Sequence, residues 1–385
     1  MTRQLIALLL PLLLLIASSA QAQTDTVRYE IRRELPLWAD SARARLTYPM
    51  AWGNAGQRNF KKWRKEARTE LIESLQALPP KPEQFDVRVT GREQREGYEA
   101  RRIEFNVSAW SRIPAYLLVP DAPGPHPAIV MLHDHGAKFS IGKEKLVRPF
   151  GVADSVRLDA EDWITRCYDG EWIADRFASA GYVVLVADAL FWGERGRAEG
   201  VRYDKQETLA ANLLQLGMTW SDLITADVMQ SAELLATLPE VDPDRIGALG
   251  FSLGAHRAWM LAAASDRVKA HAAVCWMNTS EQLTATGNNQ TRGQSAYSML
   301  VPGLRNRLDY PHVAAIACPK PALYFAGSRD KLFPLAGVED AFSTLRTTYA
   351  SQRALDRLTT RVWDEKHFFS RAMQEEVLEY FNRWL

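Results

Sequence analysis

The chain has 385 residues, 47% hydrophobic and 24% charged, and its 47 basic and 46 acidic side chains leave a formal net charge of +1. That is enough chain for one large α/β domain with a small appendage. The balanced charge gives no footprint for nucleic acid or an anionic membrane surface, and three cysteines without C-x-x-C spacing make neither a disulfide framework nor a zinc site.

The N-terminus reads as a leader. Arg3 precedes an apolar run over residues 5–16, and Ala20-Gln21-Ala22 supplies an A-x-A cleavage pattern. Residues 1–22 are expected to be a signal peptide, with the mature chain starting at Gln23 and exported to the periplasm or the medium. The run is too short to span a bilayer comfortably, and no cysteine follows it for lipid attachment, so no stable membrane anchoring is expected. Residues 58–78 read as an amphipathic helix, with Phe60, Trp63, Ala67, Leu71, Leu75 and Leu78 on one face and Pro79-Pro80 as its stop. Residues 23–95 are too poor in apolar side chains to hold a core alone, and read as a helical arm packed on a domain spanning 96–385.

That domain opens with a hairpin-like pair, residues 101–107 and 114–119. Apolar strands follow at 128–132, 182–187, 246–249, 270–276, 322–326 and 358–363. Helical stretches lie between and after them, at 172–180, 206–238, 255–264, 338–345 and 370–385. Near-continuous apolar strands alternating with helices predict an α/β fold, a mostly parallel sheet covered by helices on both faces. Sites in such sheets lie beyond the carboxyl ends of the strands. Cys167, Cys275 and Cys318 are expected to be buried apolar thiols.

Gly250-Phe251-Ser252-Leu253-Gly254 follows one of these strands and opens a helix, which is the order of a nucleophile elbow. The pattern alone is weak, since G-x-S-x-G turns up by chance in roughly one chain in eight of this size. Its weight depends on a base, an acid and an oxyanion hole. In this fold the chain order is Ser, acid, His. Of seven histidines, only His312 and His367 lie well downstream of the elbow, and His312 sits in a proline-flanked linker at the wrong end of a strand. His367 follows the last strand and precedes the final helix, so it is the expected base. Asp330 closes a G-x-x-D turn after strand 322–326 and is the expected acid, ahead of Asp364 and Glu365. The oxyanion hole is expected from the Leu253 N–H and from the loop His133-Asp134-His135-Gly136-Ala137, with Ala137 as donor and Gly136 as the alternative. His135 would tie that loop by hydrogen bonds. Neighbouring loop residues seldom converge on one ion, so no metal is expected at His133, Asp134 and His135.

Together these segments resemble a secreted α/β-hydrolase of the dienelactone hydrolase and acetyl xylan esterase-like group. The matching stretches are HDHGAKFSIGKEK from His133, VADALFWGERGR from Val186, GFSLGAH from Gly250, the run from Leu308 to FAGSRDKLFP, and KHFF from Lys366. The resemblance implies hydrolysis of a carboxylic ester through an acyl-enzyme, with Ser252, Asp330 and His367 as triad and no cofactor or metal. Dienelactone hydrolases proper use a cysteine nucleophile where this chain has Ser252. Glucuronoyl esterases place an arginine after the serine where it has Leu253. The expected substrate is a small-molecule or oligosaccharide ester, with acetylated carbohydrate first, and the sequence does not specify an oligomeric state. Walls for the pocket are sought in lid-like segments 138–170 and 278–311, and in His135, Trp192 and Trp276. A prolyl oligopeptidase-type peptidase would use the same triad but needs a propeller or large extra domain. A non-catalytic binder would not need every part of the machinery.

Overall fold

The computed structural model describes residues 31–32, 35–54, 56, 59–196, 202–285 and 293–385. The expected leader therefore lies outside the described residues, and no described helix is long and apolar enough to cross a membrane. Nine strands form one sheet: β1 (Arg88–Arg95), β2 (Tyr98–Asn106), β3 (Arg112–Pro120), β4 (His126–Leu132), β5 (Val183–Ala187), β6 (Val241–Phe251), β7 (Val268–Val274), β8 (Ala322–Gly327) and β9 (Leu358–Trp363). Their order across the sheet is β9-β8-β7-β6-β4-β5-β3-β2-β1. The six strands from β9 to β5 pair in parallel, and β3, β2 and β1 continue the sheet antiparallel. The fold is the α/β class that the alternation of strands and helices predicts.

The helices of ten residues or more are α1 (Phe60–Ser74), α2 (Asp154–Cys167), α3 (Gln206–Gln215), α4 (Trp220–Leu235), α5 (Leu253–Ala264), α6 (Leu335–Ser351) and α7 (Arg371–Trp384). Alternate residues of the buried strands face opposite cores. Ile129 and Met131 of β4, with Leu249 and Phe251 of β6, pack on Met373, Val377 and Phe381 of α7. Ala128, Val130 and Leu132, with Ile246 and Ala248, pack on the other face against Val228, Ala232 and Leu235 of α4. Both faces are thereby covered, and this is why the central strands read as unbroken apolar runs.

Three local differences from the expected elements have physical causes. β1 (RVTGREQR) falls on the arm side of the expected boundary at residue 96. It is an edge strand whose side chains are mostly exposed, so it carries no apolar alternation. The stretch 206–238 is two helices. Gly217 adopts φ +73° and Thr219 starts α4 with a capping box, its hydroxyl accepting from Asp222 N and the Asp222 carboxylate accepting from Thr219 N. His312 lies in the short helix Tyr310–Ala315, where its Nδ1 accepts from Asp309 N, so it belongs to a cap. In the arm, α1 buries Trp63, Ala67 and Leu71, begins at Asn59, whose side chain accepts from Lys62 N, and ends at Leu75.

Candidate active site

The sheet reverses its build direction between β4 and β6. From β4 the chain adds β5 on one side, then crosses back to place β6 on the other. The crevice outside the carboxyl ends of these two strands is the switch point where sites form. β6 ends at Phe251 and α5 begins at Leu253, leaving Ser252 alone in the turn with φ 57° and ψ −122°. Such a non-glycine conformation costs on the order of 1–3 kcal/mol and is held by the Ser252 N–H, which donates to Val274 O on β7 at 2.8 Å. The flanking glycines are needed for closeness. A Cβ on Gly250 would stand 2.1 Å from the Gly254 carbonyl, and one on Gly254 would stand 1.9 Å from the Leu132 carbonyl oxygen at the end of β4.

Ser252 Oγ donates to His367 Nε2 at 2.8 Å, and His367 Nδ1 donates to Asp330 Oδ2 at 2.6 Å. The second carboxylate oxygen of Asp330 accepts from Leu332 N at 2.8 Å. Asp330 is thus both an Asx-turn residue and the partner of the imidazole, and the turn bond restrains its carboxylate through the oxygen that does not face the imidazole. The three residues come from the ends of β6, β8 and β9, and the structure brings all three together. Asp364 instead pairs with Arg329 at 2.9 Å on the surface. Cys275 Sγ lies with Asp330 and His367 within 4.8 Å, but both imidazole nitrogens are committed, and burial raises the thiol pKa so that it stays protonated.

The loop after β4 faces Ser252 across the crevice. Here Ala137 N donates to His135 Nδ1 at 3.0 Å, so the N–H expected to be the second oxyanion donor is already committed. The Gly136 N–H has no hydrogen-bond partner among the described residues, and Leu253 presents the first amide of α5, a position without an intrahelical acceptor. Gly136 sits at φ +57°, and a Cβ there would lie 2.1 Å from the Trp163 ring. His135 Nε2 donates to Gln206 Oε1 at 2.6 Å, and burial lowers its pKa to about 4, so the ring is neutral. His133 Nδ1 donates to Asp134 O, while its Nε2 accepts from Ala189 N. With all four ring nitrogens engaged, neither histidine has a lone pair to offer an ion.

Sequence reasoning missed the groups that brace this loop. Lys145 is fully buried, and its Nζ donates to the carbonyls of Asp134 at 3.0 Å and His135 at 2.8 Å. Burial lowers its pKa, and Asp134, with Oδ1 at 3.6 Å, opposes that shift. Asp134 Oδ2 accepts from Trp163 Nε1 at 3.1 Å and from Tyr168 OH at 2.6 Å. Two residues before Lys145, Lys143 donates to Asp188 at 2.9 Å and Glu194 at 2.7 Å, and also pairs with Glu144. Burial works against its ammonium, but these carboxylates outweigh it and raise its pKa. In the sequence these two lysines appear only as the end of the stretch from His133 that carries the family resemblance, with nothing to mark them as buried.

Ser252 opens into a cavity of about 330 Å³ lined by the elbow, the loop after β4, Trp163 and Cys167 of α2, Trp276, Ala296, Met299, Leu332, Phe333 and His367. His135 and Trp276 line it. Trp192 does not: it is fully buried between Phe139 and Trp220, with its Nε1 donating to His135 O at 2.9 Å. Segment 138–170 contributes Trp163 and Cys167 to the wall but is anchored by Lys143 and Lys145. Segment 278–311 contributes Ala296 and Met299, and its residues 286–292 lie outside the described residues. All three cysteines are free thiols, Cys275 and Cys318 buried and Cys167 half-buried.

Known proteins share this architecture. The chain is 28% identical over 324 residues to YtaP of Bacillus subtilis (strain 168), described as a hydrolase, covering 84% of this chain and all of that one. A protein from Bacteroides fragilis NCTC 9343, described as an acetyl xylan esterase, superposes with a TM-score of 0.67 at 22% identity, over 87% of this chain and 84% of the other. A glucuronoyl esterase from Teredinibacter turnerae T7901 superposes with a TM-score of 0.59 at 15% identity, over 89% and 90%. At these identities the two structures are similar in fold. A family model matches residues 45–360, which include the elbow, the loop after β4 and Asp330, and by this match the chain belongs to the Abhydrolase family.

Proposed function

We propose that the protein is a serine esterase that hydrolyses carboxylic esters through an acyl-enzyme, with acetylated or otherwise acylated carbohydrate as its substrate class. What carries this reading is the unbroken hydrogen-bond chain from Asp330 through His367 to Ser252, set at the switch point of the sheet. Ser252 Oγ attacks the ester carbonyl carbon while His367 Nε2 takes its proton. The tetrahedral oxyanion is held by the N–H groups of Leu253 and Gly136, two dipoles already fixed by the fold before charge develops. His367 then protonates the leaving alkoxide, the C–O bond to the alcohol breaks, and the acyl group remains on Ser252. Water, deprotonated by the same imidazole, attacks the acyl carbon; the bond from that carbon to Ser252 Oγ then breaks, the imidazolium returns its proton to the serine, and the carboxylic acid is released. Asp330 keeps the imidazole in the tautomer that accepts from Ser252 and stabilises its protonated form.

Ser252→Ala removes the nucleophile without disturbing the elbow. Its kcat on p-nitrophenyl acetate is expected to fall at least ~10³-fold, together with the pre-steady-state burst of p-nitrophenol. Esterase activity in that variant close to the unsubstituted protein would overturn the assignment.

A further inference from the structure

The cavity beside Ser252 offers no free polar side chain outside the reacting groups. Among the described residues that line it, only Asp134, His135, Ser252 and His367 are polar. Asp134 Oδ2 is engaged by Trp163 and Tyr168, while its Oδ1 has no hydrogen-bond partner among the described residues but is buried out of reach with the Lys145 ammonium at 3.6 Å. Both His135 nitrogens are engaged by Gln206 and Ala137. Ser252 and His367 are bound to each other. The remaining wall is carbon and sulfur: the rings of Phe251, Trp276 and Phe333, the Trp163 indole, and Met299. Even the indole nitrogens are turned away from free use, Trp163 Nε1 toward Asp134 and Trp276 Nε1 toward Met299 Sδ at 2.9 Å. A hydroxyl-rich group placed here would lose its water and find no replacement partner, which is costly per hydroxyl.

Resting on the esterase reading, we infer that this cavity is the acyl subsite and that it takes an uncharged aromatic acyl group. In the acyl-enzyme the acyl group is the part bonded to Ser252 Oγ, so it occupies the cavity space around that atom while the alcohol departs. At about 330 Å³ the cavity lies at the lower end of small-molecule pockets, roughly 300–1,000 Å³. It is too small to enclose an oligosaccharide and leaves an acetyl group surrounded by empty space. A phenyl ring on a short linker fills it and meets Trp276 and Phe333, which already pack edge to face at 5.3 Å, in the geometry aromatic rings favour. A saccharide, where the substrate has one, is then the alcohol and lies outside the cavity.

The test holds the alcohol constant and varies the acyl group. Methyl 3-phenylpropanoate is compared with methyl acetate, methyl octanoate and methyl glucuronate, all lacking conjugation to the carbonyl. The phenylpropanoate is expected to lead acetate and glucuronate by at least about 10-fold in kcat/KM and to exceed octanoate. Acetate, octanoate or glucuronate equalling or exceeding it would overturn the inference while leaving the esterase reading intact. No turnover of any ester, with Ser252 unlabelled by a fluorophosphonate, would instead remove the esterase reading. Ala296→Phe projects a ring into the same space, and it is expected to lower the ratio of phenylpropanoate to acetate turnover at least about 10-fold. An unchanged ratio in a folded variant would count against the assignment of this wall.

Discussion

Lys145 places a buried positive charge where no substrate can touch it, against two successive carbonyls of the loop after β4. The His135 carbonyl also accepts from Trp192, so its peptide unit is gripped from one side by two donors. The N–H of that same unit belongs to Gly136 and points away from the grip, as the planar trans peptide requires. Under the proposed mechanism, Lys145 is a positioning residue for the Gly136 donor. Lys145→Met keeps the bulk and removes the grip. In that variant kcat is expected to drop about 10- to 100-fold with KM changed by less than about 3-fold, because only the transition state uses the donor. A loss confined to KM, or a fall in kcat tracking a fall in folded fraction, would assign Lys145 a purely structural part. The same residue marks the limit of sequence reading. Ser252, Asp330 and His367 were legible because their order and their places at strand ends follow from the chemistry. Lys143 and Lys145 were not, because a lysine with two main-chain acceptors looks in sequence like a lysine in water.

Among the elements, α5 carries the most constraints. It starts at Ser252, packs its small residues against both neighbouring layers, and has its last turn held from outside. Arg68 of α1 donates from Nε to Ala263 O at 2.8 Å and pairs through both terminal nitrogens with Asp266. Lys320 reaches Ala262 O and Ser265 O at 3.0 and 2.6 Å. Asp266 faces Arg64, Arg68 and Lys320, all basic, and the Arg68 bonds first among these hold its carboxyl well below the ordinary value of 3.8. A carboxyl lowered in this way adds stability above its unfolded pKa, and that contribution is lost as pH falls through the folded value. The group is largely exposed, so the contribution is of the order of up to 1 kcal/mol. Asp266→Asn is accordingly expected to melt slightly below the unsubstituted protein at pH 7, with the gap closing as pH falls below about 4. A gap that stays constant through that range would show that the pairing contributes nothing. Element boundaries were legible where apolar periodicity reports burial, as in β5 and α7. They were lost at β1, whose exposed residues have no pattern to read, and at Gly217, where a break hides inside a continuous helical composition.

The arm decides how the whole molecule holds together. Trp63, Ala67, Leu71 and Leu75 are buried in the same cluster as Trp259, Met260 and Ala263 of α5, and Trp63 Nε1 donates to Met50 O at 2.7 Å. Trp52 and Phe60 complete the contact, their rings edge to face at 5.0 Å. Burying a large apolar side chain is worth roughly 1.5–3 kcal/mol, so Trp63, Leu71 and Leu75 together approach the ~5–15 kcal/mol that a domain has in total. Their removal also strips one wall from the helix that begins at Ser252. The arm is therefore part of the folded body that carries Ser252, as its apolar helix face implies, although its sequence is too poor in apolar side chains to hold a core alone. A chain beginning at residue 80 retains every strand of the sheet and the full Asp330–His367–Ser252 set. It is expected to be insoluble, or to melt more than about 10 °C below the intact protein with esterase activity lost in parallel. A soluble truncated chain that melts within a few degrees of the intact one and keeps its kcat/KM would show instead that α5 is supported by the sheet alone.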